Sequence, residues 1–330
     1  MTQKRKLIYF ITTLTLISIL LLTNTVEANS TLNLTTTKAI YNLGEKITIT
    51  GNLTIDGTPV TDAIITIQIL NPRNETIALR SALTGTNPST EYVPIEVIDF
   101  YPCDINGKPT YSFKRGSNAG FKIRVKNNAA ATYSIVILIY IQFANDVPFT
   151  IFPIYNGTIE PNREISAFQW PVPIPSDAPL GTTKAYANVI DKYPSKGGRA
   201  YALEKNTTFQ ITSSSTSQGT STIEQTNEDG NFNVIISTNP YGGMLGKYTI
   251  HATSLYFPYF LNARQTFQVI LIGDITGDAI VEIEDVAEVS AAYGSMPPSN
   301  PTCDLNKDGV VDIEDVAMVC YDYGKYGTLP

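Results

Sequence analysis

Glu45-Lys46-Ile47-Thr48-Ile49-Thr50 and Ala119-Gly120-Phe121-Lys122-Ile123-Arg124-Val125-Lys126 decide the fold class. A period of two puts Ile47 and Ile49, or Phe121, Ile123 and Val125, on one face, with hydroxyl or charged side chains opposite, as in half-buried strands. Between such runs fall the turn dipeptides Asp56-Gly57, Asn106-Gly107 and Asp229-Gly230. Ile135 to Ile141 is apolar throughout, too short to cross a bilayer, and its β-branched residues mark a buried strand. The 330-residue chain reads as mainly β, with length for two domains.

Working outward, Tyr41-x-x-Gly44-Glu45, Gly51-x-Leu53, Asp56-Gly57-x-Pro59-Val60 and Ile65-x-Ile67-x-Ile69 resemble the opening half of a macroglobulin-like or prealbumin-like Ig sandwich of bacterial and archaeal surface proteins. Thr66 and Gln68 fall on the face opposite the three isoleucines. That half stops near Leu83, and its closing strands come later, as Gly230-Asn231-Phe232-x-Val234 and Gly246-Lys247-Tyr248-Thr249-Ile250-x-Ala252. The segment between has its own start and finish. Phe113 to Gly116, Phe121 to Asn127 and Pro171 to Thr182 resemble cell-adhesion-related Ig-like modules of prokaryotic surfaces. The expected architecture is two Ig-like β-sandwiches: one split over 29–93 and 217–272, the other inserted at 94–212, with 213–216 part of a Ser/Thr-rich linker. The rival is three consecutive small sandwiches.

The last stretch carries the chemistry. Asp274-x-Thr276-x-Asp278-x-x-x-Glu282-x-x-Asp285 is followed thirty residues later by Asp304-x-Asn306-x-Asp308-Gly309-x-x-Asp312-x-x-Asp315. Oxygen-bearing side chains recur at positions one, three, five, nine and twelve, and the carbonyls of Ile280 and Val310 stand at position seven, the spacing that wraps a short loop around Ca2+. Eleven of the twenty-one aligned positions from 274 to 294 and 304 to 324 are identical, which sets the pair apart from a merely solvated acidic surface. Two calcium sites are expected, the second stronger, because Gly309 suits the sharp turn at position six where the first loop has Ala279, and Asn306 is a better ligand than Thr276.

After each loop, Glu284-Asp285-Val286-Ala287-x-Val289 and Glu314-Asp315-Val316-Ala317-x-Val319 start a short helix whose acidic first turn suits the dipole, and each ends at a glycine, Gly294 or Gly324. Gln268 to Ile272 reads as a strand, and Pro297, Pro298 and Pro301 exclude an entering helix before the second loop. Tandem loops with exit helices and no entering helices resemble a type I dockerin over residues 273–326. The resemblance implies a cohesin-type partner, engaged by helix faces around Ser290, Ala291 and Ala292 or Tyr321 and Asp322. A calcium-folded cap without a partner is the alternative.

Composition agrees with export. Lys4, Arg5 and Lys6, the apolar stretch Leu7 to Leu22, and Val26-Glu27-Ala28 describe a secretory signal peptide over 1–28, an uncleaved anchor being the alternative, and place the protein outside the cell or on its surface. Once the signal is cut, no membrane span is expected. Asn29, Asn33, Asn52, Asn74, Asn156 and Asn206 sit in glycosylation sequons. Of three cysteines, Cys303 and Cys320 bracket the second loop and are candidates for a bridge, with Cys103 unpaired. From residue 273 on there are twelve acidic residues against Lys307 and Lys325, so −10 of the net −7 lies in the calcium module and the rest sums to +3. No basic stripe points to nucleic acid.

Catalysis is poorly supported. The one histidine, His251, alternates with Tyr248, Ile250 and Ala252 and is expected to face solvent, so no histidine-based hydrolase is read. Glu91, Glu96, Asp99, Glu160, Glu164, Asp177 and Asp191 form no glycosidase motif. The expected function is a secreted, non-enzymatic surface or adhesion protein. The alternative is a non-catalytic accessory of polysaccharide breakdown, for which Trp170 and nineteen tyrosines offer sugar-stacking surfaces toward a polysaccharide or cell-wall glycan.

Overall fold

The computed structural model describes residues 29–85, 93–213, 231–256 and 259–330. The signal segment, Glu91, most of the Ser/Thr-rich run and the Asp229-Gly230 turn lie outside them. Six strands open the chain: β1 (Ser30–Thr36), β2 (Ile40–Asn42), β3 (Lys46–Ile55), β4 (Thr58–Pro59), β5 (Ile64–Leu70) and β6 (Thr76–Leu83). Eight follow: β7 (Ile95–Cys103), β8 (Ser112–Lys114), β9 (Asn118–Asn127), β10 (Tyr133–Gln142), β11 (Pro148–Ile159), β12 (Glu164–Pro173), β13 (Gly181–Ile190) and β14 (Lys205–Thr212). Then come β15 (Asn231–Ser237), β16 (Tyr241–Met244), β17 (Gly246–Leu255), β18 (Asn262–Ile270), the helices α1 (Ile283–Ala292) and α2 (Ile313–Asp322), and β19 (Tyr326–Thr328). The protein is mainly β.

The first and third groups share two sheets, β1-β3-β15 with β4 on β3, and β2-β18-β17-β5-β6. β15 lies antiparallel on β3 with Ile47 opposite Ile236, Ile49 opposite Val234 and Gly51 opposite Phe232. Gly51 is needed there: a Cβ would stand 2.3 Å from the Phe232 ring. Ile47, Ile49, Ile65, Ile67, Ile69, Phe232 and Ile250 fill the core that these two sheets enclose. Asp56 and Gly57 turn β3 into β4 with φ of 50° and 76°, the left-handed pair that tight hairpins use. The middle group pairs within itself, as β11-β10-β13-β14-β8 and β12-β9-β7, around Phe121, Ile123, Ile137, Val189 and Phe209.

Strand β5 departs from simple alternation, because all seven of its residues are buried. Its polar face meets the middle unit. The amide of Ser195 donates to Gln68 Oε1 at 2.8 Å and that of Ala200 to Thr66 Oγ1 at 2.9 Å. Beside them Arg80 lies over the Tyr186 ring and pairs with Glu204 at 2.9 Å, while Ile64, Leu79, Leu138 and Ile190 form an apolar seam. Burial opposes the charge on Arg80, and the Glu204 carboxylate outweighs it, raising the guanidinium pKa.

His251 does not face open solvent as its strand position implied. It is half-buried on this same side of the sheet, between Gln68 and Arg264 in register, and burial followed by the Arg264 charge lowers its pKa. The three cysteines are free thiols. Cys303 is buried with its Sγ directed at Glu288 O, whereas Cys320 is exposed, so no bridge closes the second loop. Among the described residues no helix is long and apolar enough to cross a membrane.

Candidate metal centre

The two acidic loops have the same backbone. Positions four and six are left-handed in both: Gly277 and Ala279 at φ of 79° and 71°, Lys307 and Gly309 at 62° and 92°. Each loop therefore carries one glycine and one side-chain-bearing residue in a conformation that disfavours a Cβ. The strain assigned to Ala279 is matched by Lys307 in the other loop. The ligands at position three, Thr276 against Asn306, and at position nine, Glu282 against Asp312, still separate the two sites.

The first aspartate of each loop draws the turn around itself. Asp274 accepts from the amides of Gly277, Asp278 and Ala279 at 2.7, 3.1 and 2.9 Å, and Asp304 from those of Asp308 and Gly309 at 3.1 and 3.0 Å. Asp278 and Asp308 each accept the amide two residues on, at 2.9 Å. At position twelve, Asp285 accepts from Ile275, Thr276 and Glu282, and Asp315 from Leu305, Asn306 and Asp312, at 2.7 to 3.2 Å. Both carboxylates are fully buried, and each also closes a capping box, with Glu282 or Asp312 as N-cap. Burial works to raise the Asp315 carboxyl, but the amides of Asp312, Asn306 and Leu305 together outweigh it and hold its pKa below the ordinary value.

The loops are tied into a pseudo-twofold pair. Val281, at position eight, bonds Lys325 O and the Gly324 amide at 3.0 and 2.9 Å, while Val311 bonds Ser295 O and the Gly294 amide at 3.2 and 2.8 Å. Each repeat thus closes on the tail of the other. A single turn of 3-10 helix, Pro301–Cys303, stands where an entering helix would have been.

Both loops offer hard oxygen donors, the chemistry a calcium ion requires. Asp274, Thr276, Asp278, the Ile280 carbonyl, Glu282 and Asp285 are the first set; Asp304, Asn306, Asp308, the Val310 carbonyl, Asp312 and Asp315 the second. Among the described residues no group of three His, Cys, Asp or Glu stands at metal-holding distances, since the carboxylates turn onto loop amides. Nor does any hydrogen-bond donor among those residues meet the carbonyls of Ile280 and Val310. A carboxylate has about four lone-pair sites, so three amide bonds at position twelve leave one for a cation. The donor types and their spacing along each loop are those a calcium ion takes.

The module is not a free plug. β19 pairs in parallel with β16, and the amide of Leu245 donates to Thr328 O at 2.9 Å. Val281, Val289, Val311 and Val319 belong to the same continuous core as Leu245 and Leu271. Asp322, expected on an exposed helix face, is buried: it accepts from Asn42 Nδ2 at 2.6 Å, the Gly273 amide at 3.3 Å and Lys325 Nζ. Its repeat equivalent Ala292 is buried too, leaving Ser290, Ala291 and Tyr321 exposed. Among the described residues, the carboxylates weighed for glycosidase chemistry stay on the surface. Asp99 pairs with Arg124 at 2.6 Å, Arg124 also approaches Glu164, and Glu160 approaches Arg163.

Neither a family model nor a curated protein sequence matches the chain. Among solved structures, the C-terminal domain of wzt is similar at 12% identity and a TM-score of 0.31, over 41% of this chain and 84% of that one. An alkylpurine DNA glycosylase of Pseudomonas fluorescens is similar at 9% and 0.29, over 36% of this chain and 31% of that one. The β-glucuronidase of Bacteroides uniformis follows at 9% and 0.28, over 51% and 26%. The chain thus spans less than a third of the glycosylase and the glucuronidase, and likenesses this slight carry no argument about activity.

Proposed function

We propose that this is a secreted, non-enzymatic surface or adhesion protein whose dockerin-like module binds two calcium ions and docks a cohesin-type partner. Its four larger sheets are read as two Ig-like sandwiches, the second inserted into the first, which serve as spacer or adhesion unit. The observation that carries the reading is the paired loop geometry: two turns left-handed at the same two positions, each with oxygen donors at calcium-loop spacing and a position-twelve aspartate fixed by three amides.

Bound calcium supplies positive charge at the centre of each loop. The chain's own residues do the rest. Asp274 and Asp304 hold the turn, Asp285 and Asp315 join loop to helix, and Val281 and Val311 couple the two halves. With twelve acidic residues beyond residue 273, the module without metal holds like charges close together. A ligand that binds only the folded form stabilises by RT ln(1 + [L]/Kd), about 4 kcal/mol at a thousandfold excess over Kd. Hydrogen exchange on the whole protein with calcium and with chelator tests this. Protection of the α1 and α2 amides should fall by orders of magnitude in chelator while β3 and β10 stay protected. Unchanged protection would remove the mechanism.

A second reading, a non-catalytic carbohydrate-binding accessory of an extracellular polysaccharide-degrading complex, is supported by aromatic side chains left on one sheet face of the inserted unit.

A further inference from the structure

Sheet β12-β9-β7 turns one face to the inserted unit's core and the other outward. On the outward face the register sets Phe168, Lys122 and Tyr101 side by side in one row and Ser166, Arg124 and Asp99 in the next. Phe168 is 44% exposed, and Tyr101 and Trp170 are half-buried. Trp170 approaches the sheet closely at Gly120. A Cβ on that glycine would stand 3.1 Å from Trp170 Cε3 and 3.2 Å from Cys103 Sγ, so the missing side chain leaves room for the indole and the thiol to meet the sheet there. Strands about 4.8 Å apart put Phe168 and Tyr101 roughly 10 Å from each other. The structure therefore holds three aromatic side chains along one open face without burying them in the core.

The polar groups among them define the ligand. Arg124 donates to Asp99 from Nε and a terminal nitrogen at 3.0 and 2.6 Å and approaches Glu164 at 3.7 Å, so acids and bases are interleaved and no single sign of charge dominates. Such a face has no electrostatic preference for an anionic polymer, but it offers donors and acceptors beside flat apolar rings. A neutral sugar matches both features, stacking its C–H face on the rings and turning its hydroxyls to the ion pairs. The opposite sheet of the inserted unit packs on the outer unit through Arg80, Glu204 and Tyr186, so the aromatic face points away from that junction. We infer that the outward face of β12-β9-β7, with Trp170, Phe168 and Tyr101 as its platform, binds a neutral polysaccharide strand.

This inference rests on the second, carbohydrate-binding reading and is independent of calcium docking, and its test keeps the two apart. Trp170 is the single tryptophan of the chain, so its emission reports on the platform alone. The whole protein is titrated with hydroxyethylcellulose, xyloglucan, galactomannan and soluble peptidoglycan fragments while tryptophan fluorescence is followed, with calcium and with chelator. At least one neutral glycan should shift the emission saturably in both conditions. Phe168→Ala and Tyr101→Ala, which keep the reporter, should weaken that response at least about tenfold without lowering the melting temperature. Trp170→Ala uncovers Cys103 and serves only as the control that abolishes the signal. No response to any of the three neutral glycans, even with a response to peptidoglycan fragments, overturns the inference, as does a response that both alanine variants retain. A shift produced by an added protein partner and not by sugar also overturns it. Loss of the shift in chelator would make the face part of the calcium-dependent docking surface and would equally refute an independent sugar site.

Discussion

Replacing Glu204 by glutamine should loosen the junction between the two β units more than any exposed charge substitution. Its carboxylate accepts from Arg80 Nε at 2.9 and 3.1 Å, from the Ser81 amide at 2.9 Å and from Asn188 Nδ2 at 3.1 Å. The side chains of Arg80 and Glu204 are 15% and 7% exposed, so solvent screens the pair little. Glutamine keeps the shape but brings an NH2 where two donors already converge, and it leaves Arg80 without its counter-charge. Breaking a buried pair from one side costs roughly 3–5 kcal/mol. At about 2 °C per kcal/mol for a unit of this size, the melting temperature should fall by roughly 6–10 °C. Calorimetry gives the fall, and proteolysis shows whether cleavage begins in the linkers between the units. The double variant Arg80→Met with Glu204→Leu removes both charges into an apolar seam and should recover part of the loss, the remainder reflecting the Ser81 amide and Asn188 Nδ2 left without that acceptor. A Glu204→Gln melt within a degree of the parent, or a double variant as unstable as the single one, would refute this account of the junction.

Asp304→Ala and Asp315→Ala should abolish the tighter of two calcium-binding events in titration calorimetry and Asp274→Ala the weaker, the gap resting on the ligands that differ, Asn306 against Thr276 and Asp312 against Glu282; a reversed order would contradict the ligand argument. Burial pushes the Tyr248 hydroxyl, which donates to Met244 O at 2.8 Å, up to about 12 from 10.0. Its folded pKa is raised, so its contribution is complete below pH 10.0 and is lost as pH rises toward about 12. Urea titrations across that window should show about 2 kcal/mol of decline that Tyr248→Phe flattens. A thiol reagent should modify Cys320 quickly in the native protein and the other two only on unfolding, because Cys303 is buried and burial pushes Cys103 up to about 11. Two rapidly reacting thiols, or none, would contradict the placement.

Local pattern was enough for the mainly β class. Alternation through Ile47 and Ile49 and through Phe121, Ile123 and Val125 depends only on neighbouring residues, and the left-handed turn at Asp56-Gly57 follows from what a two-residue hairpin demands. The donor types and spacing of the two loops, and the glycines that stop both helices, were likewise legible, since a loop of a dozen residues specifies itself. The rest was decided by contacts between residues far apart in the chain. Periodicity puts Thr66 and Gln68 on the polar side of one strand and His251 on that of another; only packing shows that this side of the sheet is covered by another unit, with amides at Ser195 and Ala200 to satisfy Gln68 and Thr66. Asp322 reads as a surface residue of a short helix, and it becomes a buried anchor because Asn42, 280 residues earlier, delivers an amide to it. Lys307 carried no sequence signal of strain, because a left-handed lysine is imposed by the aspartate-centred turn and not by its own preference. The same holds where Trp170 meets the sheet: alternation predicts that Gly120 lies on an outward face, but only the approach of β12 and β7 makes its absent side chain room for the indole.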